Sequence, residues 1–189
     1  MLPTPPLSGL ASAKLKKLPY VNRYFSAARA VAGTNQLGLV DHRFYFQWGA
    51  ALERGGDHSN AVVHLEKAIA LKPDFADAMN HLGYMWAERG ENLDRAHRLI
   101  RRAVELEPDN DAFLDSLAWV LFQLRRPAEA LPWMEKAVQK TDSPDPTLYD
   151  HLGDILAALG RSKEAKDAWK KSLDIEDNPA IRKKWAEAR

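Results

Sequence analysis

The chain has 189 residues, 46% of them hydrophobic and 28% charged, and no cysteine. This composition excludes an intrinsically disordered chain, disulfide bonds and thiolate metal sites. The net charge of +1 is unevenly spread, because residues 1–40 and 180–189 are basic and the residues between them are acidic. An acidic body argues against nucleic acid as the main partner. No apolar run approaches the roughly 20 residues of a membrane-spanning helix.

The N-terminal segment, residues 1–41, is basic: its first 40 residues contain five lysines and arginines and no acid. It begins without the basic and then apolar pattern of a signal peptide, so the default expectation is a cytoplasmic protein. If the chain is a piece of a longer protein, an exported or periplasmic location stays open. An apolar stripe at helical spacing along residues 20–32 predicts the second helix of a degenerate leading repeat. The basic side chains are either simply solvated or reach the acidic body and regulate binding.

From residue 42 onward, the sequence repeats with a period of 34 or 35 residues. Small residues mark the first half of each period: Gly49, Gly83, Ala118 and Gly153. Alanines mark the second half with the same period: Ala61, Ala96, Ala130 and Ala165. Each marker lies in an apolar stripe with offsets of three, four and seven, and a turn separates the two stripes. The two markers predict four helical hairpins, over residues 42–75, 76–110, 111–145 and 146–179.

This pattern resembles the tetratricopeptide repeat, whose signature combines aromatic, Leu-Gly, Ala and Pro positions. The phrase from Leu82 to Gly90 is similar to bacterial members, and Ala118 departs from the usual glycine. The resemblance implies an all-α fold, a right-handed α-solenoid of stacked antiparallel helical hairpins. Residues 180–189, which follow Pro179 and are rich in charge, are predicted to form a solubilising C-terminal capping helix.

The resemblance also implies that the first helix of each hairpin lines a concave groove that binds peptides. Ten side chains beside the core stripe of these helices are the candidate groove contacts: Phe46, Asn80, His81, Tyr84, Asp115, Trp119, Phe122, Asp150, His151 and Asp154. Their aromatic and carboxylate groups suit a protein or peptide partner with basic and apolar side chains. The alternative is that they pack against the neighbouring repeat. The sequence favours Tyr84 and Trp119 as contacts, and predicts that Trp119→Ala weakens binding with little change in melting temperature.

Other functions are less well supported by the sequence. The carboxylate clamp of some family members requires Lys and Asn where this chain has Phe46 and Ala50, so binding of a chaperone tail is not predicted. The segment from Asp150 to Asp154 offers possible metal ligands one helical turn apart. An open groove, however, lacks the enclosed pocket that catalysis needs. We therefore expect no enzyme activity, no cofactor and no metal; the main alternative to a peptide-binding scaffold is a self-assembling module that forms homo-oligomers through its outer faces or ends.

The repeat pattern also predicts the packing of the core. Tryptophans Trp48, Trp86 and Trp169 occupy core positions of the pattern. Gly83 is predicted to lie where two helices of one hairpin approach closely, because the equivalent positions hold only Gly or Ala. A leucine at this position should overpack the contact and cost on the order of 1–3 kcal/mol or more.

Overall fold

In a computed structural model, the chain is described at residues 22–30, 40–143 and 145–188. Within these ranges the regular structure is α-helical and contains no β-strand, so the predicted all-α fold is confirmed. Residues 22–30 are helical and are called α1. The helices that follow are α2 (His42–Gly55), α3 (His58–Leu71), α4 (Ala76–Arg89), α5 (Leu93–Leu106), α6 (Asp111–Gln123), α7 (Pro127–Lys140), α8 (Pro146–Ala158), α9 (Ser162–Ile175) and α10 (Pro179–Glu187).

Local sequence signals account for most helix ends. The Asp41 side chain caps α2 by accepting a hydrogen bond of 3.0 Å from the Phe44 backbone N–H. Beyond its other end, Gly56 adopts a left-handed conformation with φ of 89°, which glycine adopts at little cost. Asp145 caps α8 in the same way, and proline fills the first position of that helix. The four-repeat boundaries predicted from the sequence stay a prediction.

The chain forms two compact units, Met1–Leu82 and Gly83–Arg189, and the boundary falls within α4. In the described part of the first unit, α1 packs against α2. The Phe25 ring stacks on Trp48 at 5.4 Å between centroids, and Trp48 Nε1 donates to Asn22 Oδ1 at 3.1 Å. Of the predicted leading helix, only residues 22–30 are described, and the basic residues Lys14, Lys16 and Lys17 lie outside the described residues. A regulatory role for this segment therefore stays a prediction.

The second unit continues from the C-terminal half of α4 to α10. At Gly83, an added Cβ atom would lie 2.5 Å from Ile100 Cγ1 and 3.0 Å from the Ala96 carbonyl oxygen. The predicted close approach of two helices at this glycine is therefore confirmed. The three predicted core tryptophans are also buried in their units, with between 3% and 5% of each exposed.

The last helix, α10, begins after Asn178, whose side chain caps its N-terminus. One of its residues, Ile181, is buried, and it packs in a cluster with Leu156, Ala168 and Trp169 of α8 and α9. Apart from half-buried Lys184, the other residues of α10 are exposed. The sequence predicts a capping helix here from Pro179 and the charged residues that follow it; the structure shows in addition that α10 contributes an apolar side chain to the core of the unit.

Candidate functional site

The second unit contains an open cavity of about 340 Å³ between the C-terminal half of α4, α6, α8 and α10. We call it the groove cavity. Twelve residues line it: Tyr84, Glu88, Trp119, Pro146, Thr147, Asp150, His151, Asp154, Glu176, Asn178, Ile181 and Lys184. The cavity lies on the first helices of the hairpins, where the sequence places the candidate groove residues.

Seven of the ten candidate residues come together at this cavity. Five of them line it: Tyr84, Trp119, Asp150, His151 and Asp154. The other two lie behind the wall, since Asp115 contacts His151 and Phe122 stacks on Trp119 with ring centroids 5.1 Å apart.

The remaining three candidates lie in the unit that ends at Leu82. The Phe46 ring packs edge-on against Phe75 and His81, with ring centroids 5.3 and 5.6 Å apart. Burial lowers the pKa of His81 below its ordinary value, although nearby Glu53 opposes this. The Asn80 side-chain oxygen is buried and has no hydrogen-bond partner among the described residues. Phe46 and His81 thus contact each other, and the part of all three residues in binding stays a prediction.

The central residue of the groove cavity is His151, which is only 4% exposed. Its Nδ1 lies 2.8 Å from Asp115 Oδ1, and its ring stacks on Trp119 at 3.9 Å between centroids with 15° between the planes. Burial by itself lowers the pKa of His151, but the hydrogen bond and charge of Asp115, helped by Glu88 and Asp150, outweigh it and raise the pKa. The imidazole therefore favours its charged form, in which Nδ1–H donates to Asp115 and the cation lies over the indole face.

The pH dependence of stability should report this arrangement. Because the pKa of His151 is raised in the folded chain, its contribution is complete below the ordinary pKa of about 6.5 and is lost as the pH rises through the folded value. The substitution Asp115→Asn leaves His151 buried and removes the negative charge beside its ring. The variant should therefore lose about 1–3 kcal/mol of unfolding free energy at pH 6. The parent should gain stability as the pH falls toward about 6.5 and keep it below, whereas the variant should lose stability as the pH falls below about 6.5.

Urea unfolding between pH 5.5 and 8.5 measures both effects. The matched control is Asp167→Asn, an exposed aspartate on α9, which should leave the pH profile of the parent unchanged. Parallel pH profiles for the parent and Asp115→Asn would show that His151 is neutral in the folded chain.

The carboxylates at the far end of the cavity are already paired with an ammonium group of the same chain. Lys184 Nζ on α10 donates to Asp150 Oδ1 at 2.8 Å and to Asp154 Oδ2 at 2.7 Å, and Trp169 Nε1 donates to Asp154 Oδ1 at 3.2 Å. Burial raises the pKa of Asp154. Burial by itself lowers the pKa of Lys184, but the hydrogen bonds and charges of Asp150 and Asp154 outweigh this effect. The pKa of Lys184 is therefore raised, and its side chain stays charged. The sequence analysis does not identify Lys184 as a residue of the site. The available signal is its spacing, because it lies three residues after the apolar Ile181 and therefore on the same face of the helix.

The near end of the cavity is aromatic and acidic. Burial first, and then the negative charges of Glu88 and Asp115, raise the pKa of the Tyr84 hydroxyl, which therefore stays protonated. The carboxylates of Glu88 and Glu176 are exposed at the rim. The cavity can thus receive an apolar side chain against its aromatic wall and a cationic group at its rim.

Two further observations concern the described residues alone. In residues 22–30, 40–143 and 145–188, no group of three or more His, Asp or Glu side chains is placed to hold a metal ion. None of the helices in the same ranges combines the length and the apolar character needed to cross a membrane.

Sequence comparison identifies similar proteins. Models of the tetratricopeptide repeat family match residues 46–92, 89–146 and 146–179. The TPR repeat-containing protein PA4667 of Pseudomonas aeruginosa is 35% identical over 102 residues, which cover 54% of this chain and 17% of that protein. The type IV pilus assembly protein PilF of the same organism is 27% identical over 135 residues, which cover 71% of this chain and 53% of PilF. The chain thus spans about half of these relatives or less.

Solved structures show the same fold. MamA from Desulfovibrio magneticus RS-1, from residue 41 to its end, superposes with a TM-score of 0.69 at 19% identity, covering 88% of this chain and 93% of that one. YrrB, described as a TPR protein with an unusual peptide-binding site, superposes with a TM-score of 0.62 at 22% identity, covering 85% and 77%. The family models match well over half of the sequence, and the helices have the matching fold; the chain belongs to the tetratricopeptide repeat family.

Proposed function

We propose that the chain is a protein-interaction scaffold that binds a segment of a partner polypeptide in the groove cavity. The family and the fold indicate a scaffold for protein–protein interaction. The observation that supports the finer proposal is the composition of the cavity. It combines an aromatic wall, formed by Tyr84 and Trp119, with the exposed carboxylate of Glu88 at its rim.

This chemistry favours a polypeptide with apolar and cationic side chains. Aromatic side chains contribute large contact areas at protein interfaces, and a cation over an aromatic face gains further stabilisation. While α10 is docked, Asp150 and Asp154 bind Lys184, so that Glu88 and Glu176 are the carboxylates that a cationic side chain of the partner would meet at the rim. A partner segment should therefore place its apolar residue on the wall and its Lys or Arg near Glu88.

The names of similar proteins are consistent with this proposal. The YrrB structure is described as having a peptide-binding site, and PilF is named as a pilus assembly protein. Both names describe those proteins. For this chain, they support a role in holding another polypeptide.

Self-association is a second candidate, because large apolar side chains are exposed in the unit that ends at Leu82. Tyr24 is 70% exposed, Val63 58% and Leu71 47%. Large apolar side chains exposed to solvent are available for burial in an interface between two chains. Light scattering at several concentrations measures the mass in solution, and a concentration-dependent dimer would support this candidate.

Photo-crosslinking tests the groove proposal. A benzoylphenylalanine is placed at Thr147, which is exposed on the cavity lining, or at Asp167 on α9, which lies outside the lining. In cells of the native organism, the Thr147 position should crosslink to a partner polypeptide and the Asp167 position should not. A product that mass spectrometry identifies as two copies of this chain would favour self-association, and crosslinks from Asp167 alone would contradict the groove proposal.

A charge variant refines the same test once a partner segment is known. Glu88→Gln removes the carboxylate at the rim and should weaken binding by up to about fivefold, which corresponds to about 1 kcal/mol for an exposed pair. Glu135→Gln on α7 is the matched control and should leave the affinity unchanged. Equal affinities for the parent and Glu88→Gln would show that the rim does not recognise a cation.

A further inference from the structure

The far end of the groove cavity is filled by the chain's own last helix. Ile181 and Lys184 lie three residues apart on α10, and therefore on the same face of that helix. Ile181, 5% exposed, packs against Leu156 and Trp169, while Lys184 Nζ binds Asp150 and Asp154. One face of α10 thus supplies an aliphatic side chain and, one turn later, an ammonium group.

We propose that this end of the cavity is a receptor site for a helical segment that presents an aliphatic side chain followed three residues later by lysine, and that α10 is its intramolecular occupant. A partner with the same two side chains would bind by displacing α10. This inference deepens the proposed function and rests on it, since the competing segment binds in the same cavity.

The receptor part of the site consists of residues of α8 and α9 and does not include α10. The carboxylates of Asp150 and Asp154 lie one turn apart on α8 and converge on one ammonium group at 2.8 and 2.7 Å. Trp169 Nε1 of α9 fixes the orientation of the second carboxylate by donating to Asp154 Oδ1. Beside them, Leu156 and Trp169 form the apolar contact for Ile181. The two carboxylates and the apolar contact are thus placed to receive two side chains that lie one turn apart on one face of a helix.

α10 is held in place by Ile181, by the two bonds of Lys184, and by Ala188 just beyond its end, which packs against the same cluster. It has nine residues, and within the described chain Ile181 is the buried one among them. Lys183 and Trp185, on either side of Lys184, are exposed. A short helix with one buried side chain belongs to the elements that open locally while the rest of a protein stays folded. Displacement of α10 therefore need not unfold the hairpins.

Peptide binding to the 189-residue chain tests the inference. The probe is a fluorescein-labelled peptide with the sequence of residues 178–188, and the receptors are the unchanged chain and its double variant Ile181→Asp, Lys184→Gln. The double variant should bind the peptide more tightly. If α10 is undocked about one tenth of the time, freeing the site raises the apparent affinity about tenfold. Far-UV circular dichroism checks that the double variant keeps its helices. If it does not, Lys184→Gln alone is the receptor and should still bind the peptide more tightly than the unchanged chain.

Two altered peptides provide the matched controls. Lys184 and Lys183 are neighbours on α10, but Lys184 binds the two carboxylates, while Lys183 lies exposed, 3.9 Å from Glu187. We call the double variant the opened chain. A peptide with Lys184→Gln should bind the opened chain at least about fivefold more weakly than the parent peptide does, as expected for the loss of a charge-assisted hydrogen bond. A peptide with Lys183→Gln, which has the same change in charge, should bind like the parent peptide.

Several results would overturn the inference. Equal binding to the unchanged and opened chains would show that α10 does not occupy the site, and equal binding of the two altered peptides would show that the carboxylates do not select the ammonium group. No binding to the opened chain would remove the receptor site altogether. If the peptide does not bind the opened chain while Thr147 still crosslinks to a partner, only this inference is contradicted. Loss of the Thr147 crosslink in both chains, with peptide binding retained, would instead contradict the proposed function.

Discussion

Replacing Trp119 by alanine is expected to lower the free energy of unfolding by about 3–5 kcal/mol. The side chain is 9% exposed and lies between two rings, stacked on His151 at 3.9 Å and on Phe122 at 5.1 Å. Its removal opens a cavity and takes away the aromatic face on which the imidazole ring of His151 stacks. This corrects the sequence-based expectation that the melting temperature stays nearly unchanged, because an indole that lines a groove can also be part of its core.

The matched variant is Trp119→Phe. The indole Nε1 is buried and has no hydrogen-bond partner among the described residues. Phenylalanine removes this donor and keeps a ring in the stack, so its effect should stay within about 1.5 kcal/mol. Urea unfolding at pH 7 measures both variants, and a loss below 1.5 kcal/mol for Trp119→Ala would show that the stack does not hold the wall together. Any partner affinity is best compared with Trp119→Phe, because this variant stays folded.

The repeat period alone predicts the helices and much of the core. Gly83 and Gly153 share a register position, and at both positions an added Cβ atom would collide with the second helix of the hairpin. Pro73 and Pro108 lie two residues beyond the ends of α3 and α5, where the sequence predicts that these helices stop. Such features are local, because a period of 34 or 35 residues fixes which face of each helix is apolar.

The contacts within the groove cavity are the part that the sequence does not predict. His151 and Asp115 were named separately as groove residues, and periodicity does not reveal that one buries its ring against the other's carboxylate. Lys184 is one of three consecutive basic residues, from Arg182 onward, and only the docked position of α10 selects it for Asp150 and Asp154. Pairs of charges 30 and 34 residues apart depend on tertiary packing, which a helical pattern does not specify.

The last prediction concerns Gly153, where the packing of a hairpin and the docking of α10 meet. A Cβ atom at this position would lie 2.4 Å from Trp169 Nε1 and 2.5 Å from Trp169 Cδ1. The rigid indole is held by its hydrogen bond to Asp154 and by packing against Ile181, so it has little freedom to move away. Gly153→Leu should therefore lower the unfolding free energy by about 3 kcal/mol or more.

Gly83 offers the matched comparison, because its added Cβ atom would lie 2.5 Å from Ile100 Cγ1 and 3.0 Å from the Ala96 carbonyl oxygen, and so would meet no indole ring. Alanine within a helix is favoured over glycine by about 0.5–1 kcal/mol, so steric overlap has to exceed this gain before the variant is destabilised. We expect Gly153→Ala to be less stable than the parent and less stable than Gly83→Ala in urea unfolding. Because Trp169 orients Asp154, displacing the indole should also weaken the hydrogen bond between Asp154 and Lys184. Hydrogen exchange in residues 179–187 should accordingly rise in Gly153→Ala and not in Gly83→Ala; equal exchange in both would show that α10 docks independently of Trp169.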